Sequence, residues 1–134
     1  HQNMSARPCS ISAQTGSTMA TARWKTPALV DHLARTGMTL TSCPLSNLAL
    51  CVIEDVADSP VKDMLAAGLN VTVNSDDPAY FGGYLNANYL AIAKAQHLKR
   101  GEIITLARNS FTGSFLPPTE VARHLNAIDQ AVSA

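Results

Sequence analysis

Val71-Thr-Val-Asn-Ser-Asp-Asp-Pro-Ala-Tyr-Phe81 is a short β-branched run that stops on two adjacent carboxylates. Val71, Thr72 and Val73 suit a buried strand, and Asn74 to Pro78 is the turn chemistry that ends it. In a parallel α/β fold, ligands and substrates are met at the carboxyl ends of the strands. Asp76 and Asp77 therefore stand where a site would be. An Asx residue after a strand can equally cap the next helix, a role open to Ser75, Asp76 and Asp77 alike.

Working outward, the neighbouring segments read as alternating helices and strands. Pro27 is a good first-turn residue for a helix through Leu29, Val30, Leu33 and Ala34, which Gly37 stops. Met38 to Ser42 reads as a strand and Cys43 to Asn47 as the loop after it. A second helix is predicted over Val61 to Ala67, introduced by Ser59-Pro60 and ended by Gly68, and Leu69 to Asn74 is the second strand. After the Asp pair, Gly82-Gly83 marks a tight turn. Helices are predicted over Asn86 to Gln96 and Gly101 to Asn109. The tail, Pro118 to Val132, is amphipathic with Val121, Leu125 and Ile128 on one face.

Helix–strand–helix–strand order implies parallel pairing, because each crossover carries a helix. The fold class is α/β. Two strands cannot complete such a sheet, and residues 1 to 24, rich in Ser, Thr, Ala and Gln, show no period that would supply more. The regular part of the chain reads as the end of a larger fold.

Composition narrows the function classes. With 134 residues, 46% apolar, the chain has enough material for one domain and too little for two. Ten basic and ten acidic residues give no net charge, which argues against nucleic acid or an anionic membrane as partner. No apolar run approaches the roughly 20 residues of a membrane span. The three cysteines, Cys9, Cys43 and Cys51, are odd in number and lack CxxC spacing, so they read as reduced thiols of a cytoplasmic protein.

Other residues invite ordinary readings. Cys43 is a packing residue and not a nucleophile, for want of a nearby His. Ser46 and Asn47 are expected to hold their loop by side-chain-to-backbone bonds. Tyr80, Phe81, Tyr84 and Phe115 are assigned to core or barrel-mouth packing, and Asn109 and Ser110 to a helix end. His32 is a helix-surface residue, and neither His97 nor His124 has ligand spacing to Asp76.

Three ordered motifs, Ser42-Cys-Pro-Leu-Ser-Asn-Leu48, Val71 through Phe81 extended to Gly82-Gly-Tyr84, and Ala107-Arg-Asn-Ser-Phe111 followed by Ser114-Phe-Leu-Pro117, closely resemble the adenosine/adenine deaminase family. The Pro-Ala-Tyr-Phe-Gly-Gly form is similar to the microbial adenine deaminase branch. The resemblance runs from Pro27 to the end and implies the C-terminal part of a (β/α)8 TIM-like barrel of the metal-dependent hydrolase type. It implies one zinc ion, with Asp76 as a metal ligand and Asp77 as the residue that contacts the purine ring. The implied reaction is hydrolytic deamination of adenine, or of adenosine, with a small-molecule purine as partner.

The same resemblance exposes what is missing. The early His-x-His pair, the middle-strand His and the acidic general acid have no counterpart among His1, His32, His97 and His124, so no catalytic residue is retained. The fragment alone is expected to be inactive. Rival expectations are a remnant that self-associates through exposed barrel edges, and a small α/β binding domain in which the Asp pair is only a cap.

Residues 1–26 read as an irregular segment, disordered or out of frame, and residues 27–134 as the deaminase-like part. The resemblance implies an Asp-His-Gly segment just before Pro27, where this chain has Gly16-Ser-Thr-Met-Ala-Thr-Ala-Arg-Trp-Lys-Thr26. A permitted coding of that stretch, read from the third base of each codon, translates as Ile-Asp-His-Gly-Asn-Arg-Ser-Leu-Glu-Asp. Met19-Ala20 forces the glycine of that reading and Trp24-Lys25 forces its glutamate, whatever synonymous codons surround them. Sequencing the coding DNA across codons 14 to 28 is expected to show this off-frame reading; its absence there removes the frameshift.

Overall fold

The computed structural model describes residues 25–134. Helix α1 (Pro27–Thr36) leads into strand β1 (Thr39–Ser42), followed directly by helix α2 (Pro44–Ala49). A 3-10 turn (Val56–Asp58) precedes α3 (Val61–Ala66) and strand β2 (Asn70–Val73). The short helix α4 (Pro78–Phe81) then leads to α5 (Leu85–Ala95), α6 (Arg100–Thr112) and α7 (Pro118–Ser133).

The two strands pair in parallel as predicted, with Thr39 opposite Asn70 and Ser42 opposite Val73. Asn74 N–H extends the ladder by donating to Ser42 O at 2.8 Å. Every β2 residue from Val71 to Val73 is buried, on both faces of the strand. That follows from where the helices lie: Val71 and Val73 meet Val61 of α3, Ile92 of α5 and Leu106 of α6 in a single apolar cluster. Val56, Met64, Leu65, Tyr89 and Leu98 close its rim.

Local chemistry sets the ends of these elements. Proline stands in the first turn of α1, α2, α4 and α7, where its missing N–H costs no intrahelical bond. Gly37 ends α1 in the left-handed conformation and returns its N–H to Leu33 O. Gln96, at the end of α5, binds the backbone of Lys62 and the carbonyls of Ala57 and Ser59, which fixes α5 to the segment before β2. Asn109 of α6 donates to Val71 O at 2.9 Å, capping a strand carbonyl from outside the sheet. Arg108 pairs with Asp129 of α7 at 2.5 Å on the surface.

Four sequence expectations need correction. Cys43 to Asn47 is not a loop: Pro44 starts α2 there, with Cys43 as its first flanking residue. Tyr80, Tyr84 and Phe115 are not packed inside, being 79%, 72% and fully exposed. Cys51 is disulfide-bonded in the structure, whereas Cys43 is a free thiol. The helix read over Gly101 to Asn109 is longer, reaching Thr112, and its Asn109 works inside it. Among the described residues no helix is long and apolar enough to cross a membrane. The segment 1–24 of the predicted irregular region lies outside the described residues.

Tyr89 offers a check on the packing of α5 against α6. Burial pushes its phenol above the ordinary value of 10.0, while the Ser110 hydroxyl beside it acts in the opposite direction. The folded state thus holds this proton more tightly than the unfolded chain does. Its contribution is complete below pH 10 and is lost as pH rises through the folded value. Urea denaturation across that range is expected to show the stability gap between the chain and Tyr89→Phe narrowing as pH rises.

Candidate functional site

The carboxyl ends of β1 and β2 lie side by side because the strands are parallel and in register. The segments leaving those ends, Cys43 with α2 and Asn74 with α4, are consequently neighbours. Asp76 and Asp77 both stand here on the surface. The structure gives them different tasks.

Asp77 is the helix cap. Its Oδ1 accepts from Ala79 N–H and Tyr80 N–H, each at 3.1 Å, at the start of α4. Oδ2 has no partner among the described residues. Asp76 caps nothing. Its backbone lies in the left-handed region at φ 57°, uncommon outside glycine and tolerated best by Asp and Asn. Its Oδ2 accepts from Ser46 Oγ at 2.7 Å. Ser46 itself is 1% exposed, so the hydroxyl that holds Asp76 is anchored in the protein interior.

This bond revises the role expected of Ser46. It does not tie its own loop to the backbone but reaches across to the other strand's end. The backbone of Asn47 does the local work, its carbonyl accepting from Val52 N–H at 2.8 Å.

Cys43 lies against the same carboxylate. Burial raises its thiol above 9.0, the negative charge of Asp76 raises it further, and the Asp76 backbone N–H pulls the other way. A thiol so placed is held protonated, which fits a packing residue better than a nucleophile.

One feature of the site was missed in the sequence. Asn88, in α5, is completely buried and fully bonded. Its Oδ1 accepts from Leu45 N–H at 3.1 Å, and its Nδ2 donates to Gly83 O and Tyr84 O at 3.2 Å each. A signal was present: Asn88 and Ile92 are spaced i, i+4, so a polar residue occupies the inward phase of an apolar helix.

The remaining candidates are dispersed. His32 and His97 are exposed, and His124 stacks on Phe111 with ring centroids 4.5 Å apart. Among the described residues no three His, Cys, Asp or Glu side chains cluster as a metal site. Asp76, with one oxygen held by a hydroxyl and the other without a partner among the described residues, could give that oxygen to a metal ion with Ser46 as its support. Zinc takes about three protein donors. The described residues do not complete that set.

Substitutions separate the two carboxylates. Asp77→Ala is expected to cost about 1 kcal/mol in urea denaturation and Asp77→Asn only a few tenths, the pattern of a cap. Asp76→Asn is expected to be near neutral, because Asn accepts both the left-handed backbone and the Ser46 bond, whereas Asp76→Ala should cost about 1–2 kcal/mol.

Comparison with known proteins bears on the same segments. The family model described as Adenosine deaminase matches residues 17–131. An adenine deaminase of Sphingopyxis alaskensis is 67% identical over 103 residues, covering 77% of this chain and 30% of the relative. One of Caulobacter vibrioides is 54% identical over 107 residues, covering 80% and 31% respectively. A crystal structure of adenine deaminase from Arthrobacter aurescens superposes with a TM-score of 0.79 at 41% identity, covering 84% of this chain and 34% of that one. The chain spans about a third of the length of these relatives. Its helices and paired strands are the C-terminal part of a (β/α)8 barrel of the metal-dependent hydrolase type.

Proposed function

Because this chain belongs to the adenosine deaminase family, we propose that it carries one corner of the active site of a zinc-dependent adenine deaminase, which converts adenine to hypoxanthine and ammonia in purine salvage. The observation that carries this reading is the pair Asp76-Asp77 at the end of β2, within a stretch 67% identical to an adenine deaminase. Adenine is favoured over adenosine because the relatives compared above are named for it. A cytoplasmic setting follows from the same reading.

In this proposal Asp76 is one zinc ligand, oriented by Ser46, and Asp77 uses its unengaged oxygen on the purine ring. The two roles divide as their geometry divides. Asp76 spends one oxygen on Ser46 and has the other to give, and Asp77 is held rigid by two backbone donors that fix the direction of Oδ2. The other donors to the metal, and the proton-transfer groups, are not supplied by the described residues. The chain alone is therefore inactive as a deaminase.

A second reading has support of its own. Tyr84, Leu90 and Tyr80 are each more than 70% exposed, and among the described residues the sheet has only two strands. Uncovered apolar side chains and open strand edges favour association, either with a further copy or with the missing portion of the barrel.

Both readings meet in one experiment. The purified chain is incubated with zinc and adenine or adenosine, alone and with the complementary N-terminal portion of the Sphingopyxis alaskensis enzyme, and hypoxanthine or inosine formation is followed. The expected outcome is no turnover alone, and adenine turnover on reconstitution that Asp76→Ala abolishes. Turnover by the chain alone would overturn the claim of inactivity; sedimentation of the same samples reads self-association.

A further inference from the structure

Asn88 is the only fully buried polar side chain of α5 among the described residues, and its three hydrogen bonds join the start of α2 to the turn after α4. One bond goes to Leu45 N–H, in the first turn of α2. The other two go to the carbonyls of Gly83 and Tyr84, in the turn that follows the Asp pair and α4. A buried amide satisfied on both sides is a rigid spacer: moving either segment breaks a bond in a place where water does not replace it.

A second observation locates the same contact from the opposite side. A Cβ built on Gly83 would lie 2.6 Å from Leu45 Cδ1, closer than carbon atoms approach. The turn and α2 are thus pressed together at van der Waals range, and Gly83, at φ 92°, is the residue type that permits it. Contact fixes how near the two segments come, and Asn88 fixes their register.

Leu45 is followed by Ser46, whose hydroxyl reaches Asp76 Oδ2. From these facts we infer that Asn88 is a positioning residue for Asp76: it sets the height of the α2 first turn, so that the Ser46 hydroxyl meets the carboxylate held on the left-handed backbone of residue 76. Asn88 does not touch the reacting groups. It acts through the Leu45 backbone and Ser46, about two links from the site. The function of that positioning rests on the reading of Asp76 as a metal ligand, but the structural coupling does not.

The test is a double-mutant cycle read in the thermal unfolding of the full chain. If Asn88 positions Ser46, the Tm loss caused by Ser46→Ala in the wild-type background is expected to fall to less than about half in the Asn88→Ala background, because the hydroxyl there no longer meets Asp76. A residue that merely fills space would leave the two losses additive, and additivity overturns the inference. Should Asn88→Ala lack a cooperative transition, the near-isosteric Asn88→Leu removes the same three hydrogen bonds without opening a cavity, and the same cycle is read there. In the reconstituted assembly, Asn88→Ala is expected to lower kcat by about a hundredfold while KM for adenine stays within about twofold. Coupling in the cycle without turnover in any assembly would overturn the deaminase reading and leave the positioning role intact.

Discussion

The parallel, in-register pairing of β1 with β2 is the constraint on which the rest depends. It places Ser42 beside Val73, so that the two chains leaving the sheet start from adjacent points. Everything at the site follows from that adjacency: Ser46 reaches Asp76, Cys43 lies against it, and the turn at Gly83 touches Leu45. The pairing is itself held by packing. Val71 and Val73 are buried under three helices, and a slip of one residue would move both from the apolar cluster to the opposite face.

The site couples a strained backbone to a buried anchor. Asp76 occupies a left-handed conformation that costs energy in any residue with a side chain, yet its carboxylate is held from below by an interior hydroxyl. Asp77, one residue on, has an extended backbone and spends one oxygen on α4. Two chemically identical neighbours thus differ in orientation and in what holds them, a side-chain hydroxyl for Asp76 and two backbone N–H groups for Asp77, while each keeps one oxygen free.

The described residues also have the form of a part. Their buried apolar core is built of aliphatic side chains from few elements, while Tyr80, Tyr84, Leu90 and Phe115 are left on the surface. The chain spans about a third of the length of the relatives it matches, and uncovered apolar side chains of this kind are suited to association.

The sequence by itself determined the helix–strand alternation, the strand end at Asn74 and the chemical identity of the Asp pair, because turn residues, proline and glycine act locally. Three ordered motifs were enough to name the family. It did not determine α2, since Pro, Ser and Asn in Cys43 to Asn47 read as a loop; the helix is secured by the bond from Leu45 to Asn88, a contact across 43 positions. Nor did it show that Ser46 works across strands and not within its loop. Those are tertiary decisions, made by packing between segments distant in sequence, and local propensity carries no information about which buried donor will meet which acceptor.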